Sequence, residues 1–494
     1  MDFTETVSAG YIRQAAKIQT IVQLSVRCEG AERVLAVSAG ANVRVSETLN
    51  GEVRLSGREA LEAVVMTEDG MRRVSGWAEF SDRAEAEGIT PTSRTTAYCR
   101  VLDTDVVSVG GGNATFASVV EITVYEERTC MIPPAPASDD EVFTGSESVT
   151  LSCVQTSFSG RAEAVSRERF NITEVVCAFT GVVINGTEAA LDAVYVNGEF
   201  TVDGIGKTRD GGIAPFSFEV PFSTEIAAEG ARRGGCVFVR TGGASVIGEL
   251  TDEGMSFTAI VEICGEVYAE TETQCVTDAF GPDREITMTS ACVEGLKVTG
   301  AHCVKDKAEG TVTLPSGDNA DKITAIVGFG LTSLTVYAEG GKAVAEGAVS
   351  GYVIYADAEA GRRSSCLAEI PFRIVTDVEA DENCELDING SVGRVAARSA
   401  RAGEIAVRCE LSLCILTADR VHKDVVTSIT CGEAKPDRTG VISMHSASEG
   451  ETLWESAKAL SVRPETVMSQ NPSLVYPLKK GEKVFVFREK KAEA

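Results

Sequence analysis

Three stretches decide the fold: RVLAVSA (residues 33–39), ITEVVCAF (172–179) and KITAIVGFG (322–330). Each is a short apolar run rich in β-branched residues, as strands prefer. Each also opens a block carrying the same later landmarks. A glycine-led strand comes next, with Gly57 in EVRLSG, Gly204 in FTVDG and Gly351 in GAVSG. A Phe-ended strand follows, with Phe80 in GWAEF, Phe222 in FEVPF and Phe372 in AEIPF. The blocks close on ASVVEITVYEE around Glu121, FTAIVEICGEVY around Glu262 and IAVRCELSLCIL around Glu410.

Spacing supports the repeat. Phe to Glu spans 41, 40 and 38 residues, and Gly to Phe spans 23, 18 and 21. The period of about 142 to 150 residues is too long for a solenoid and suits tandem domains. Within each copy EVRLSG, FSFEVPF and EITVYEE alternate apolar and polar residues, the period of a half-buried strand. Glycine clusters at Gly110 to Gly112, Gly234–Gly235 and Gly242–Gly243 read as turns. The expected fold is mainly β, with three tandem antiparallel, sandwich-like domains of many short strands. Their expected bounds are 1–130 (the most diverged copy), 131–280 and 281–432. A linker at 433–441 and a small α+β domain at 442–489 complete the chain. MIPPAPASDD (131–140) and CGEAKPDRTG (431–440) read as connecting segments.

The 494 residues carry 46 basic and 73 acidic side chains, net −27. From Gly440 onward there are eight Lys+Arg and seven Asp+Glu, so the preceding 439 residues hold 38 minus 66, or −28. Such a field repels nucleic acid and anionic lipid. It fits either a basic protein partner or the solubility of a β-rich chain. The 16 uncharged residues Ile323 to Ala338 fall short of the roughly 20 apolar residues that cross a bilayer. MDFTETVSAGYIRQ has early acids and no apolar core, so it does not read as a secretory signal, and the chain is expected to stay where it is made.

The 15 cysteines include no CxxC, and the three histidines, His302, His422 and His445, are far apart. No metal site is expected, and the thiols read as buried and free in a reducing compartment. GIGKT (204–208) echoes the end of a P-loop, but Thr201 stands where the full pattern needs glycine. No GxSxG or HExxH occurs, and three histidines leave few Ser–His or Cys–His pairs. The chain is expected to be non-enzymatic, with no catalytic residue and no cofactor.

The tail changes period. Residues 445–487 read strand, helix, helix, strand, a βααβ unit. Thr452-x-x-Glu455 is a capping box, Leu453, Ala457 and Leu460 share a helical face, and Pro464 suits the first turn of a second helix ending at Asn471–Pro472. This tail resembles a LysM domain. Gly450 to Leu453 match its G-[DE]-T-L signature, Asn471–Pro472 its central Asn-Pro, and Leu478, Gly481, Val484 and Val486 its closing pattern. Ala447 and Ser456 stand where larger apolar residues are usual, implying a weaker core. The resemblance implies binding of N-acetylglucosamine-containing glycans, or of a protein partner, through Gly450, Glu451, Thr452, Leu453, Asn471, Pro472, Ser473 and Leu474. The same residues also admit a structural reading, with Thr452 capping, Leu453 and Trp454 packing, and Asn471–Pro472 turning the chain.

The repeats also look familiar. LPSG, the I-x-x-I-V strand, V-S-G and E-I-P-F of the third copy resemble the SPOCS domain. Three such copies before a LysM tail resemble the SipL/SpoVID-like family of spore coat morphogenetic proteins. That resemblance implies a scaffold in the mother-cell cytoplasm at the forespore surface, linked to a coat-basement ATPase. The alternatives are a peptidoglycan-binding wall protein and, less favoured, a phage tail component.

Overall fold

The computed structural model describes residues 7–132, 142–315, 318–357, 362–401, 403–436 and 441–488. Most of the proline-rich segment 131–140 lies outside these residues, as do 437–440.

The chain is mainly β, built of antiparallel three-stranded sheets. The first unit holds β1 (Val7–Arg27), β2 (Ala31–Leu49), β3 (Glu52–Thr67), β4 (Gly70–Glu85), β5 (Arg94–Gly110) and β6 (Asn113–Ile132). The second holds β7 (Phe143–Val165), β8 (Glu174–Ala190), β9 (Ala193–Lys207), β10 (Ile213–Ala227), β11 (Cys236–Thr251) and β12 (Gly254–Phe280). The third holds β13 (Arg284–Thr313), β14 (Lys322–Glu339), β15 (Lys342–Asp357), β16 (Arg362–Glu379), β17 (Cys384–Arg401) and β18 (Glu404–Ala434).

Topology repeats unit by unit. One sheet runs first–sixth–fifth strand (β1-β6-β5, β7-β12-β11, β13-β18-β17), and the other is the meander β2-β3-β4, β8-β9-β10 or β14-β15-β16. The two sheets share a core, because alternation turns one face of every strand inward. In the first unit Val53 and Leu55 of one sheet meet Val120, Ile122 and Val124 of the other. Pro221 and Pro371 sit on the edge strands β10 and β16, where a missing N–H is tolerated.

The strands are not short. In the three units they run from 15 residues in β9 to 31 in β18, well past the usual five or six. Period-two patterning continues through glycines and small register shifts that sequence reading takes for turns. Gly242 and Gly243 lie inside β11, at a shift between Thr241 and Ala244, and make no turn. Gly111 and Gly112, with φ of 61° and 83°, do turn β5 into β6.

The repeat glycine also needs correction. Gly57 pairs with Phe80, and its counterparts pairing with the same Phe are Gly198 and Gly347 rather than Gly204 and Gly351. Gly to Phe then spans 23, 24 and 25 residues, tighter than the sequence spacing gave. In each pair the ring lies over the glycine, where a Cβ would stand 2.2, 2.4 or 2.9 Å from the ring's Cζ.

The tail forms β19 (Ile442–Ser446), α1 (Leu453–Leu460), α2 (Pro464–Gln470) and β20 (Lys483–Phe487), with β19 antiparallel to β20. The Thr452–Glu455 capping box is present in full, and Ala457 and Leu460 are buried on the expected face. Among the described residues no helix is long and apolar enough to cross a membrane.

Candidate functional site

The strands that mark the repeats also join them. Leu35 and Ala36 of β2, Val176 and Cys177 of β8, and Ala325 and Val327 of β14 meet in one buried cluster. Each unit thus gives its second strand, the run read from sequence as the opening one, to a shared three-way core, where burial stabilises by about 25 cal/mol per Å² of apolar surface. A second junction gathers Ile132, Val149, Leu151, Cys275, Val293 and Val425 from the three first–sixth strand pairs.

Arg240 of β11 ties these units electrostatically. Its side chain is 4% exposed and pairs with Glu266 of its own unit and with Asp387 of the third at 2.9 Å. Tyr98 and Tyr125 of the first unit lie 4.6 and 4.8 Å from the guanidinium, as cation–π partners do. Tyr98 Oη donates to Glu266 at 3.2 Å, and Tyr125 Oη donates to Asp387 at 3.4 Å. Burial works against the Arg240 charge, but Glu266 and Asp387 outweigh it and hold the guanidinium protonated. Burial and then Glu266 push the Tyr98 phenol well above its ordinary range.

Beside this hub a cavity of about 940 Å³ opens between the units, bordered by Trp77, Arg100, Glu121, Glu262, Arg240 and Asn389. Arg58 lies 4.0 Å over the Trp77 ring at its rim. Arg100 and Lys17 both pair with Glu121, so the repeat glutamate serves the joint between strands. Cys99 on the wall has its thiol pushed up to about 12 by burial, then by Glu262, and is a poor nucleophile at neutral pH.

In the tail the expected groove residues take separate roles. Gly450 has φ of 80°, and its N–H donates to Leu478 O at 2.8 Å. Glu451 turns inward. Its carboxylate accepts from Ser448 N and Ser456 Oγ and meets His445 Nε2 at 2.7 Å. Burial opposes that charge, but the bonds from Ser448, Ser456 and His445 hold its carboxyl below the usual range. Ser456, which stands where a larger apolar residue is usual, is fully buried and donates its hydroxyl to Glu451. Thr452 caps α1. Asn471 is buried: its Nδ2 donates to Val467 O and Phe485 O, and its Oδ1 accepts from Phe485 N. Leu453 and Leu474 pack on the same small core, while Pro472 and Ser473 are exposed. A recess of about 250 Å³ borders Gly450 and Glu451 but none of residues 471–474. The segment after β19 bonds to the far end of the segment after α2, at Leu478, Lys480, Gly481 and Glu482, rather than to residues 471–474.

Trp454, read as packing, spans two units. Its Nε1 donates to Asp278 at 2.9 Å, its ring meets Phe280 edge-on at 5.0 Å, and Lys458 Nζ bonds both Asp278 oxygens at 2.6 and 2.7 Å. A Cβ at Gly145 would stand 2.9 Å from the Trp454 ring, so β7 offers a glycine where the ring seats.

The other motifs resolve plainly. GIGKT forms the end of β9 and the turn after it, with Lys207 paired to Glu174. All 15 cysteines are free, but Cys292, Cys303 and Cys431 are exposed rather than buried. Cys292, Glu294 and His422 come together on one face, which spacing along the chain could not signal. The chain matches no model of a protein family, no curated protein and no solved structure.

Proposed function

We propose that this chain is a non-enzymatic assembly scaffold of the spore envelope, its LysM-like tail and SPOCS-like units linking the forespore surface to a coat-basement ATPase. The observation that supports protein docking is the outer face of the tail sheet. Ile442, Met444, Phe485 and Phe487 are 69%, 55%, 46% and 47% exposed, and their registers pair Ile442 with Phe487 and Met444 with Phe485. Four large apolar side chains grouped on a charged molecule's surface favour a protein partner. The closed three-unit body behind them suits a rigid platform.

A second reading, glycan binding in the manner of a wall-associated protein, is favoured by the exposure of Thr452, Pro472 and Ser473. Localisation of the tagged full-length protein in a sporulating host tests both. A ring around the forespore that Met444→Ser with Phe485→Ser abolishes, and Pro472→Ala with Ser473→Ala leaves, supports the scaffold docking by protein contact. Loss with the second pair alone favours glycan. A diffuse signal unchanged at sporulation sinks the scaffold.

A further inference from the structure

Strand geometry assembles a set of metal-binding side chains that no contiguous motif encodes. Cys292 and Glu294 are two residues apart on β13 and so share a face. His422 of β18 lies directly opposite Glu294, and Asp424 opposite Cys292, which places all four on that face. Val293 and Val425 point the other way into the junction between units and fix its orientation. One ligand atom each from Cys292, Glu294 and His422 lies within 4.8 Å of the others, with His422 Nδ1 3.9 Å from Glu294 Oε1. Metal–ligand bonds of about 2.0–2.3 Å in a tetrahedral site need ligand separations of about 3.3–3.8 Å, a side-chain adjustment away. Cys130 of the first unit, near the end of β6, packs against the Val293 and Val425 junction behind this face, so the cluster sits where the first and third units meet.

We propose that Cys292, Glu294 and His422 bind a borderline-soft divalent cation of the zinc class at the seam between the first and third units. One thiolate, one imidazole and one carboxylate are the donors such an ion takes, and hard cations such as magnesium disfavour the sulfur. An ion pair between Glu294 and His422 would have no use for Cys292. The ligands are solvent-accessible, so the site loads without unfolding and keeps a fourth position open to solvent.

The test uses the full-length protein, kept reduced with a non-chelating phosphine, and zinc alone. Competition with a chromogenic chelator is expected to give one tight zinc per chain. Cys292→Ser and His422→Ala should each weaken it by roughly 100-fold or more, beyond the 10–100-fold typical of outer-shell partners. Cobalt substitution should give a thiolate-to-metal charge-transfer band that Cys292→Ser abolishes. Glu294→Gln serves if either variant fails to fold, and circular dichroism without metal checks each. No stoichiometric zinc on the parent protein overturns the proposal. So does zinc binding unchanged in the variants, since the metal would then sit on other thiols.

Discussion

Arg240 of the second unit and Asp387 of the third meet at 2.9 Å, and Tyr125 of the first donates to the same carboxylate. All three repeats therefore touch one buried charge cluster. Removing one member of such a cluster leaves the rest uncompensated, at about 3–5 kcal/mol. Arg240→Ala should destabilise by that amount, and Arg240→Lys should rescue only part, because an ammonium cannot bridge two carboxylates and stack on two rings as the planar fork does. Urea unfolding followed by two probes checks this. Coincident, unshifted transitions in Arg240→Ala would show that the hub does not couple the units.

Glu59 carries the opposite charge problem. It is fully buried, and among the described residues it accepts only from Ser118 Oγ and its Oε2 has no partner. Burial raises its carboxyl above the ordinary value, with Ser118 pulling the other way. The fold thus binds this proton more tightly than the unfolded chain. The penalty is full above the folded pKa and is relieved as pH falls through it. Glu59→Gln should stabilise at pH 7 by about 1 kcal/mol, because relief of the buried charge exceeds the cost of leaving an amide N–H where Oε2 stands. The gain should shrink toward pH 4. Thermal melts across that range decide it, and a pH-independent difference would refute the assignment.

Asp278 holds the tail. Burial works against its charge, but the bonds from Lys458 and Trp454 outweigh it and hold the carboxyl below the usual range. Docking is then fully present above the ordinary aspartate pKa of about 3.9 and is lost as pH falls through the lowered value. Asp278→Ala should weaken docking by about 1–3 kcal/mol. In a Trp77→Phe background the remaining Trp454 emission should shift to the red, and an unmoved spectrum would assign docking to Phe280 and Phe143 alone.

Gly198 should not accept a side chain. A Cβ there would stand 2.4 Å from the Phe222 ring and 2.5 Å from Val183 O. Gly198→Ala should cost about 1–3 kcal/mol by overpacking, read as a lower urea midpoint. An unchanged midpoint would mean the ring moves away freely.

Much of this was legible in local pattern. Alternation in β6 and β16, the Phe80, Phe222 and Phe372 landmarks and the Thr452–Glu455 cap all follow from interactions between residues near in sequence. Glycine was harder. Gly242–Gly243 read as a turn and is a register shift inside β11, because only the partner strand tells a turn from a bulge. Gly204 and Gly351 read as the landmark where Gly198 and Gly347 face the phenylalanines, a cross-strand relation no linear spacing defines. In the tail the motif residues were found but not their direction: Glu451 points inward to His445 and Ser456.

The sequence by itself determined that the chain repeats three times, that each copy is antiparallel β, and that a helix-bearing tail follows. These are periodicities of two, of 3.6 and of about 145 residues, and they need no knowledge of what lies opposite. Only the tertiary structure decided that the copies close on one another through β2, β8 and β14, with Arg240 at their meeting point. It alone brought Cys292 and Glu294 to His422, and Trp454 to Asp278. Those contacts join residues more than 100 positions apart, and which distant surfaces meet depends on shape and charge complementarity that emerges once the strands have paired.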